Sequence, residues 1–341
     1  MRKPIKVLVV DDSLVCRELL SEFLNQADDI QVVGKAASGK EAIVLNQKLR
    51  PDLITMDVMM PGLDGYATIE EIMSSLPVPI LVVTSAPVKE GVDQNFKALS
   101  AGALDMVEKP EGNDETADTL RQKVRLLAGV PVVHRSKKRR SRSARISRGL
   151  LIGHRPIVAI TSSTGGPKAL VEILGMLPRN YGACILVTQH MPQAFTSGFA
   201  AWLDHEVALD VTEARDGDTI LPGRVLVAPS DRHLVMESPA SVGLSSEPPV
   251  GSHRPSGTLM FGSIAGLCGP KSVGIVLSGM GRDGADGLLD LHRAGGLCIA
   301  QDEASSMVFG MPKAAIDMGA VDEVLDIAGI AELLVQCGGE R

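Results

Sequence analysis

The chain has 341 residues, 45% of them hydrophobic but only 3% aromatic, and a formal net charge of −7. That length is about twice the usual single domain and predicts two, while the scarcity of Phe, Tyr and Trp argues against an activity built on stacking bases or sugars. Five scattered cysteines (Cys16, Cys184, Cys268, Cys298 and Cys337), with no close Cys-x-x-Cys pair, argue against a disulfide framework and predict a reduced, cytoplasmic protein.

The chain opens on MRKPIKVLVVDD, where Asp11 and Asp12 cut the apolar stretch too short for a signal peptide. No uninterrupted apolar run approaches the roughly 18 residues that span a bilayer, so no membrane insertion is expected. From there to about residue 127 apolar runs alternate with amphipathic stretches, the rhythm of a parallel sheet covered on both faces. Strands are predicted at Lys6–Val10, Gln31–Lys35, Leu53–Met56, Ile80–Val83 and Leu104–Val107, with helices between them at, for example, Leu14–Asn25 and Lys40–Lys48. Five such units predict a doubly wound α/β domain at residues 1–127.

A basic linker is expected at 128–153. Its stretch RSKKRRSRSARISR, at 135–148, carries eight Lys or Arg and no acid. Removing those eight positive charges from the net −7 leaves −15 on the remainder. A flexible tether beside acidic domains is the simpler reading, although a basic run can also bind nucleic acid electrostatically. Strand and helix alternation resumes in a second α/β domain at 154–341, with strands near Ile157–Ile160, Cys184–Thr188, Gly274–Leu277 and Leu297–Ala300. A turn-rich insertion at 207–257 is expected to hold an antiparallel pair, Val207–Val211 with Arg224–Ala228.

In the first domain Asp11, Asp12, Asp57, Thr84 and Lys109 all stand at or just beyond strand ends. In open α/β sheets those ends converge at the switch point. Three clustered carboxylates repel one another unless a cation joins them, and an all-oxygen set with room for water suits Mg²⁺. With Lys109 opposite and Thr84 offering a hydroxyl, the set fits a carboxylate that accepts a phosphoryl group. The segments VVDDS, ITMDVMMPGLDG, VVTSA and VEKP resemble the response-regulator receiver domain over about 120 residues in order. That resemblance implies Asp57 as phospho-acceptor, Asp11 and Asp12 as Mg²⁺ holders beside it, and Thr84 with Lys109 as the pair that transmits the phosphorylated state. It also implies a histidine kinase as phosphodonor.

In the second domain the apolar run IVAIT ends at Ser162 and Ser163, turns through two glycines and enters a helix at Pro167. This puts a hydroxyl beside a helix amino end, where N–H groups can hold developing negative charge. A serine nucleophile needs a base, usually a histidine oriented by an acid. His190 ends the strand CILVTQ and Asp283 follows the strand GIVLSG, so Ser163, His190 and Asp283 are expected on one sheet edge. Ser162, His233, His253 and Asp286 remain rivals on spacing alone. The turn is neither a Walker loop nor a G-x-S-x-G elbow.

The stretches SSTGGP, TQHMPQAFT, LPGRVLVAPSDRHL, HRPS, GMGRDGADG and AQDEASSMVFGMP resemble, in this order, the chemotaxis protein-glutamate methylesterase and glutamine deamidase family, CheB. The likeness spans most of residues 156–341, and a preceding receiver domain is that family's architecture. It implies Ser163 as nucleophile, His190 as base, Asp283 as the orienting acid and Met280 as a residue lining the site. It further implies cytoplasmic helices of methyl-accepting chemoreceptors as substrate, no cofactor for the ester chemistry, and gating in which the unphosphorylated receiver occludes the cleft. A monomer is expected. Two departures stand out: Thr161-Ser162 where the family usually reads Gly-Ala, and Arg282 where Asn is common. A receiver with a binding output through the basic linker is the alternative, although no helix-turn-helix or zinc-finger pattern supports nucleic-acid binding. A catalytically weakened scaffold, suggested only by Thr161 and Arg282, is a third.

Overall fold

The computed structural model describes residues 3–60, 65–85, 92–110, 114–132 and 156–338. The chain divides into two compact units, residues 1–138 and 139–341. The basic stretch 135–148, and with it most of the expected linker, lies outside the described residues.

The first unit runs β1 (Ile5–Val10), α1 (Leu14–Asn25), β2 (Ile30–Ala36), α2 (Gly39–Leu49), β3 (Leu53–Met56), α3 (Gly65–Ser75), β4 (Ile80–Thr84), α4 (Val92–Ala101), β5 (Asp105–Glu108) and α5 (Asp114–Leu127). Its five strands are all parallel, in the order β2-β1-β3-β4-β5. Val7, Leu8, Val9 and Val10 of β1 are all buried, as expected where helices cover both faces of a sheet. Side-chain caps start the helices: Ser13 Oγ accepts from the Cys16 N–H at 3.4 Å, and Ser38 Oγ from the Glu41 N–H at 3.3 Å. The strand order reverses between β1 and β3, so the loops that follow these two strands open on a shared crevice.

The second unit runs β6 (Ile157–Ser162), α6 (Gly166–Leu174), β7 (Cys184–Gln189), α7 (Gln193–Glu206), β8 (Asp210–Glu213), β9 (Arg224–Val227), β10 (His233–Ser238), β11 (Ser241–Ser245), α8 (Gly257–Cys268), β12 (Ser272–Val276), α9 (Ala285–Arg293), β13 (Leu297–Gln301), α10 (Met311–Asp317), β14 (Glu323–Leu325) and α11 (Ile327–Gly338). Seven parallel strands form one sheet in the order β14-β13-β12-β6-β7-β9-β8. The chain enters at the centre on β6, builds outward through β7, and later returns to the other side of β6 as β12. The switch point is therefore β6/β12. Phe261, Met260 and Ile264 of α8, Leu288 and Leu291 of α9, and Leu234 and Met236 of β10 pack with strand residues in one buried core.

The antiparallel insertion is present, but its strands are β10 and β11. The predicted antiparallel pairing of Val207–Val211 with Arg224–Ala228 is wrong: β8 and β9 pair in parallel, Asp210 with Arg224 through Glu213 with Val227. So short a separation reads as a hairpin because parallel neighbours ordinarily need a longer crossover. Here residues 214–223 cross back along the hairpin and take their backbone hydrogen bonds from it. Gly217 N–H reaches Val242 O at 3.0 Å, Val242 N–H reaches Asp218 O at 2.9 Å, and Ile220 N–H reaches Ala240 O at 2.9 Å. The hairpin thus satisfies backbone groups that a crossover helix would satisfy internally.

Candidate functional site

Strand register brings Ser163 and His190 side by side. Ser162 of β6 pairs with Gln189 of β7, and the His190 N–H donates to Ser162 O at 2.9 Å. Gln189 Nε2 then bridges the two strand ends, donating to Ser163 O and to His190 O at 2.9 Å each. On the other side the Ser163 N–H donates to Ser278 O at 3.0 Å, just beyond β12. A Cβ at Gly279 would lie 2.8 Å from Ser163 Cβ, so only glycine lets the Gly279-Met280 turn approach this closely. Met280, next in the chain, is 48% exposed. Ser163 sits two residues before Gly165, the N-cap of α6, which adopts φ 83°.

Asp283 completes the group. His190 Nε2 lies 2.9 Å from Asp283 Oδ2, and both side chains are almost fully buried. Three further donors converge on the carboxylate: Ser256 Oγ to Oδ1 at 2.5 Å, the Gly257 N–H to Oδ2 at 2.7 Å, and the Thr258 N–H to Oδ1 at 3.3 Å. Ser256 caps α8, so the carboxylate occupies a helix amino end. Burial acts to raise the Asp283 pKa, but the hydrogen bonds from His190, Ser256 and Gly257 outweigh it and hold the group well below the usual carboxylate range. An ionised carboxylate only accepts, so His190 Nε2 carries a proton, and in the neutral ring the lone pair lies on Nδ1. Nδ1 is buried and makes no hydrogen bond among the described residues.

The four rivals are engaged differently. Ser162 is fully buried and its Oγ donates to Gln189 Oε1 at 2.7 Å. His233 is buried at the start of β10 with Nε2 3.3 Å from Pro248 O. Asp286 is bound by Arg282, whose Nη2 reaches both carboxylate oxygens at 2.9 Å, so the Arg282 charge is directed to Asp286. His253 stacks flat on His190, with ring centroids 4.0 Å apart and planes 3° apart. Burial, with the neighbouring His190, lowers the His253 pKa, which favours a neutral ring against His190.

Thr161 is fully buried on β6, and its side chain lies against Gly257 and Gly284, directly behind the Asp283 cradle. Its Oγ1 has no hydrogen-bond partner among the described residues. Valine keeps the shape and removes the unsatisfied hydroxyl, so Thr161→Val should leave stability unchanged or raise it by about 1–3 kcal/mol. Thr161→Gly should lower it by emptying that space. Denaturant unfolding of the two variants checks both signs.

The first unit gathers its acids as the spacing predicts. The Asp57 N–H donates to Val10 O at 2.9 Å, and Asp11, Asp12 and Asp57 offer carboxylate oxygens within 4.8 Å of one another. Lys109 Nζ lies 2.6 Å from Asp57 Oδ2 and 2.7 Å from Asp11 Oδ2. Burial raises the Asp11 pKa despite the lysine. Burial acts to lower the Lys109 pKa, and its contacts with Asp11 and Asp57 more than reverse this, so that it is raised. Thr84 is buried at the end of β4, and its carbonyl accepts from the Lys109 N–H at 2.9 Å. Three carboxylates facing one lysine leave net negative charge that a hard, oxygen-seeking cation fits.

A receiver-like acid pocket in one unit and a serine, histidine and aspartate at the switch point of the other define a response regulator whose output is hydrolytic. Family models agree on both halves: the response regulator receiver domain matches residues 7–121 and CheB methylesterase matches 158–334. The chain is 45% identical, over 97% of its length and 96% of the relative's, to protein-glutamate methylesterase/protein-glutamine glutaminase 2 of Anaeromyxobacter dehalogenans. It is 43% identical, over 98% and 94%, to protein-glutamate methylesterase/protein-glutamine glutaminase 3 of Myxococcus xanthus. The crystal structure of the Thermotoga maritima CheB methylesterase catalytic domain covers 54% of this chain and 99% of its own, with TM-score 0.52 and 38% identity. The chain belongs to the CheB methylesterase family and carries a receiver domain. It is thus an enzyme of the methylesterase class, and the binding-output alternative gives way.

Sequence reasoning missed the parts that hold the site: Gln189, Ser256, Ser278 and Gln301. Ser278 N–H donates to Gln301 Oε1 at 2.8 Å, and Ser278 Oγ donates to Thr164 O at 2.7 Å. Only Ser256 carried a local signal, a serine cap opening an apolar helix after Pro255.

Proposed function

We propose that Ser163 attacks the carbonyl carbon of glutamyl γ-methyl esters, and of glutamine side chains, on cytoplasmic helices of methyl-accepting chemoreceptors. His190 Nδ1 takes the hydroxyl proton and returns it to the leaving methanol or ammonia. Water, activated by the same nitrogen, then hydrolyses the acyl-enzyme. Asp283 fixes the imidazole with its proton on Nε2. Backbone N–H groups at the amino end of α6 and that of Met280 are the candidate oxyanion donors, and Met280 lines the approach. The observation that carries this reading is the 2.9 Å His190–Asp283 contact inside a cradle of three further donors. Methanol released from a methylated chemoreceptor by the full-length protein tests it, and no release with a phosphodonor present would sink it.

The receiver would control that reaction. Asp57 is the proposed phospho-acceptor from a histidine kinase, and Asp11, Asp12 and Asp57 would hold Mg²⁺. When bound, the ion supplies charge neutralisation for the incoming phosphoryl group. Lys109, now bound to Asp57 and Asp11, would exchange its contact for the phosphoryl oxygens, and Thr84 would follow. A basic linker at 128–153, joining a receiver at 1–127 to a catalytic domain at 154–341, belongs to this reading, as do a monomeric state and a cytoplasmic site of action. No helix among the described residues is long and apolar enough to cross a membrane. A small-molecule phosphodonor should stimulate methanol release roughly 5–150-fold, the usual range of coupling between two sites. Asp57→Ala should abolish the stimulation and keep the unstimulated rate. Undiminished stimulation in that variant would remove Asp57 from the scheme.

A further inference from the structure

The described residues contain a second cluster of metal-ligand type, in the second unit and at the opposite sheet edge from Ser163. His292 lies in the last turn of α9, Cys298 is the second residue of β13, and Asp322 immediately precedes β14. Ser163, His190 and Asp283 follow the carboxyl ends of their strands, whereas this cluster gathers at the amino ends of β13 and β14. Each of its residues offers one ligand atom, and those atoms lie within 4.8 Å of one another.

We propose that His292, Cys298 and Asp322 bind a divalent transition-metal ion of the zinc class. His292 Nδ1 is buried, makes no hydrogen bond among the described residues, and stands 3.3 Å from Asp322 Oδ1. Zinc bonds of about 2.0–2.1 Å to nitrogen and oxygen at tetrahedral angles place those two atoms about 3.3 Å apart. The carboxylate is already oriented, because its other oxygen accepts the Cys298 N–H at 2.7 Å. This is the outer-shell support that metal ligands commonly have. The Cys298 sulfur, 3.5 Å from Leu288 O, is buried beside them. A mixed nitrogen, sulfur and oxygen set favours zinc over magnesium or calcium. On binding, the thiol gives up its proton to solvent and a metal–sulfur bond forms, so affinity rises with pH. Three protein ligands leave a fourth position for water.

Cobalt(II) is the probe, because cobalt–thiolate bonds absorb in the near ultraviolet and carboxylate-bound cobalt does not. The full-length protein, stripped with a chelator and held in excess Mg²⁺ to occupy the receiver acids, is titrated with Co²⁺ and then with Zn²⁺. We expect a thiolate band that saturates at one ion per chain and that Zn²⁺ abolishes. His292→Ala, at a partly exposed position, should weaken Co²⁺ binding at least about 100-fold, as loss even of outer-shell partners costs 10–100-fold. Its unstimulated methanol release should not change. Cys298→Ser should remove the band. Absence of a band, or a band that survives His292→Ala undiminished, overturns the site. The second result would show that His292 does not hold the ion.

Discussion

Ser163→Ala should slow methanol release from a methylated chemoreceptor by about 10⁴–10⁶-fold, the range seen when a triad nucleophile is removed from a serine hydrolase. The comparison that gives this number meaning is Ser162→Ala. Both serines stand at the end of the same strand, but their surroundings differ. Ser162 is fully buried and its hydroxyl is committed to Gln189, which in turn bridges the carbonyls of Ser163 and His190. Removing it deletes one neutral hydrogen bond, worth about 1 kcal/mol, and loosens the bridge. The expected loss for Ser162→Ala is therefore roughly 10-fold, through positioning of the two strand ends. Steady-state release by both variants, with circular dichroism to verify folding, separates them. A Ser163→Ala enzyme within 10-fold of wild type would remove Ser163 from the mechanism.

Much of this arrangement is legible in the chain because strand ends are legible. Apolar runs predict β3 and α1 with the bounds the structure has, and the polar residue that follows each run then falls on a functional edge. That logic finds Asp11, Asp57 and Lys109 as readily as Ser163 and His190. It fails where a partner lies outside the local segment. Asp283 and Asp286 are three residues apart, and only the fold shows that Arg282 binds one while Ser256 and the start of α8 cradle the other. The parallel pairing of β8 with β9 was hidden for the same reason, since the hairpin that supports their crossover comes later in the chain. Thr161 reads as an intrusion beside the nucleophile, whereas its side chain packs behind Asp283 against two glycines.

Asp283→Asn tests that cradle most severely, with an expected fall in kcat of about 10⁴-fold, as when the orienting aspartate of a serine protease becomes asparagine. Four donors meet two oxygens in the wild type: Ser256 and Thr258 at Oδ1, His190 and Gly257 at Oδ2. An asparagine supplies only one oxygen, and leaving it with Ser256 and Thr258 turns an NH₂ group toward His190 and Gly257. His190 can answer only by accepting at Nε2, which moves its proton to Nδ1 and ends its use as a base there. The Gly257 N–H loses its acceptor, so the fold should also weaken by about 1–3 kcal/mol. The pH dependence follows from the sign of the shift. Because the folded-state pKa of Asp283 is depressed, its contribution is complete above the unfolded value of about 3.9 and disappears as pH falls through the folded value. The stability gap between wild type and Asp283→Asn should stay constant from pH 7 to about 5 and narrow below about 4. Denaturant unfolding across that range, following the transition of the second unit, measures it. A gap that widened toward acid would mean that Asp283 is protonated in the native state, and the tautomer assigned to His190 would then be wrong.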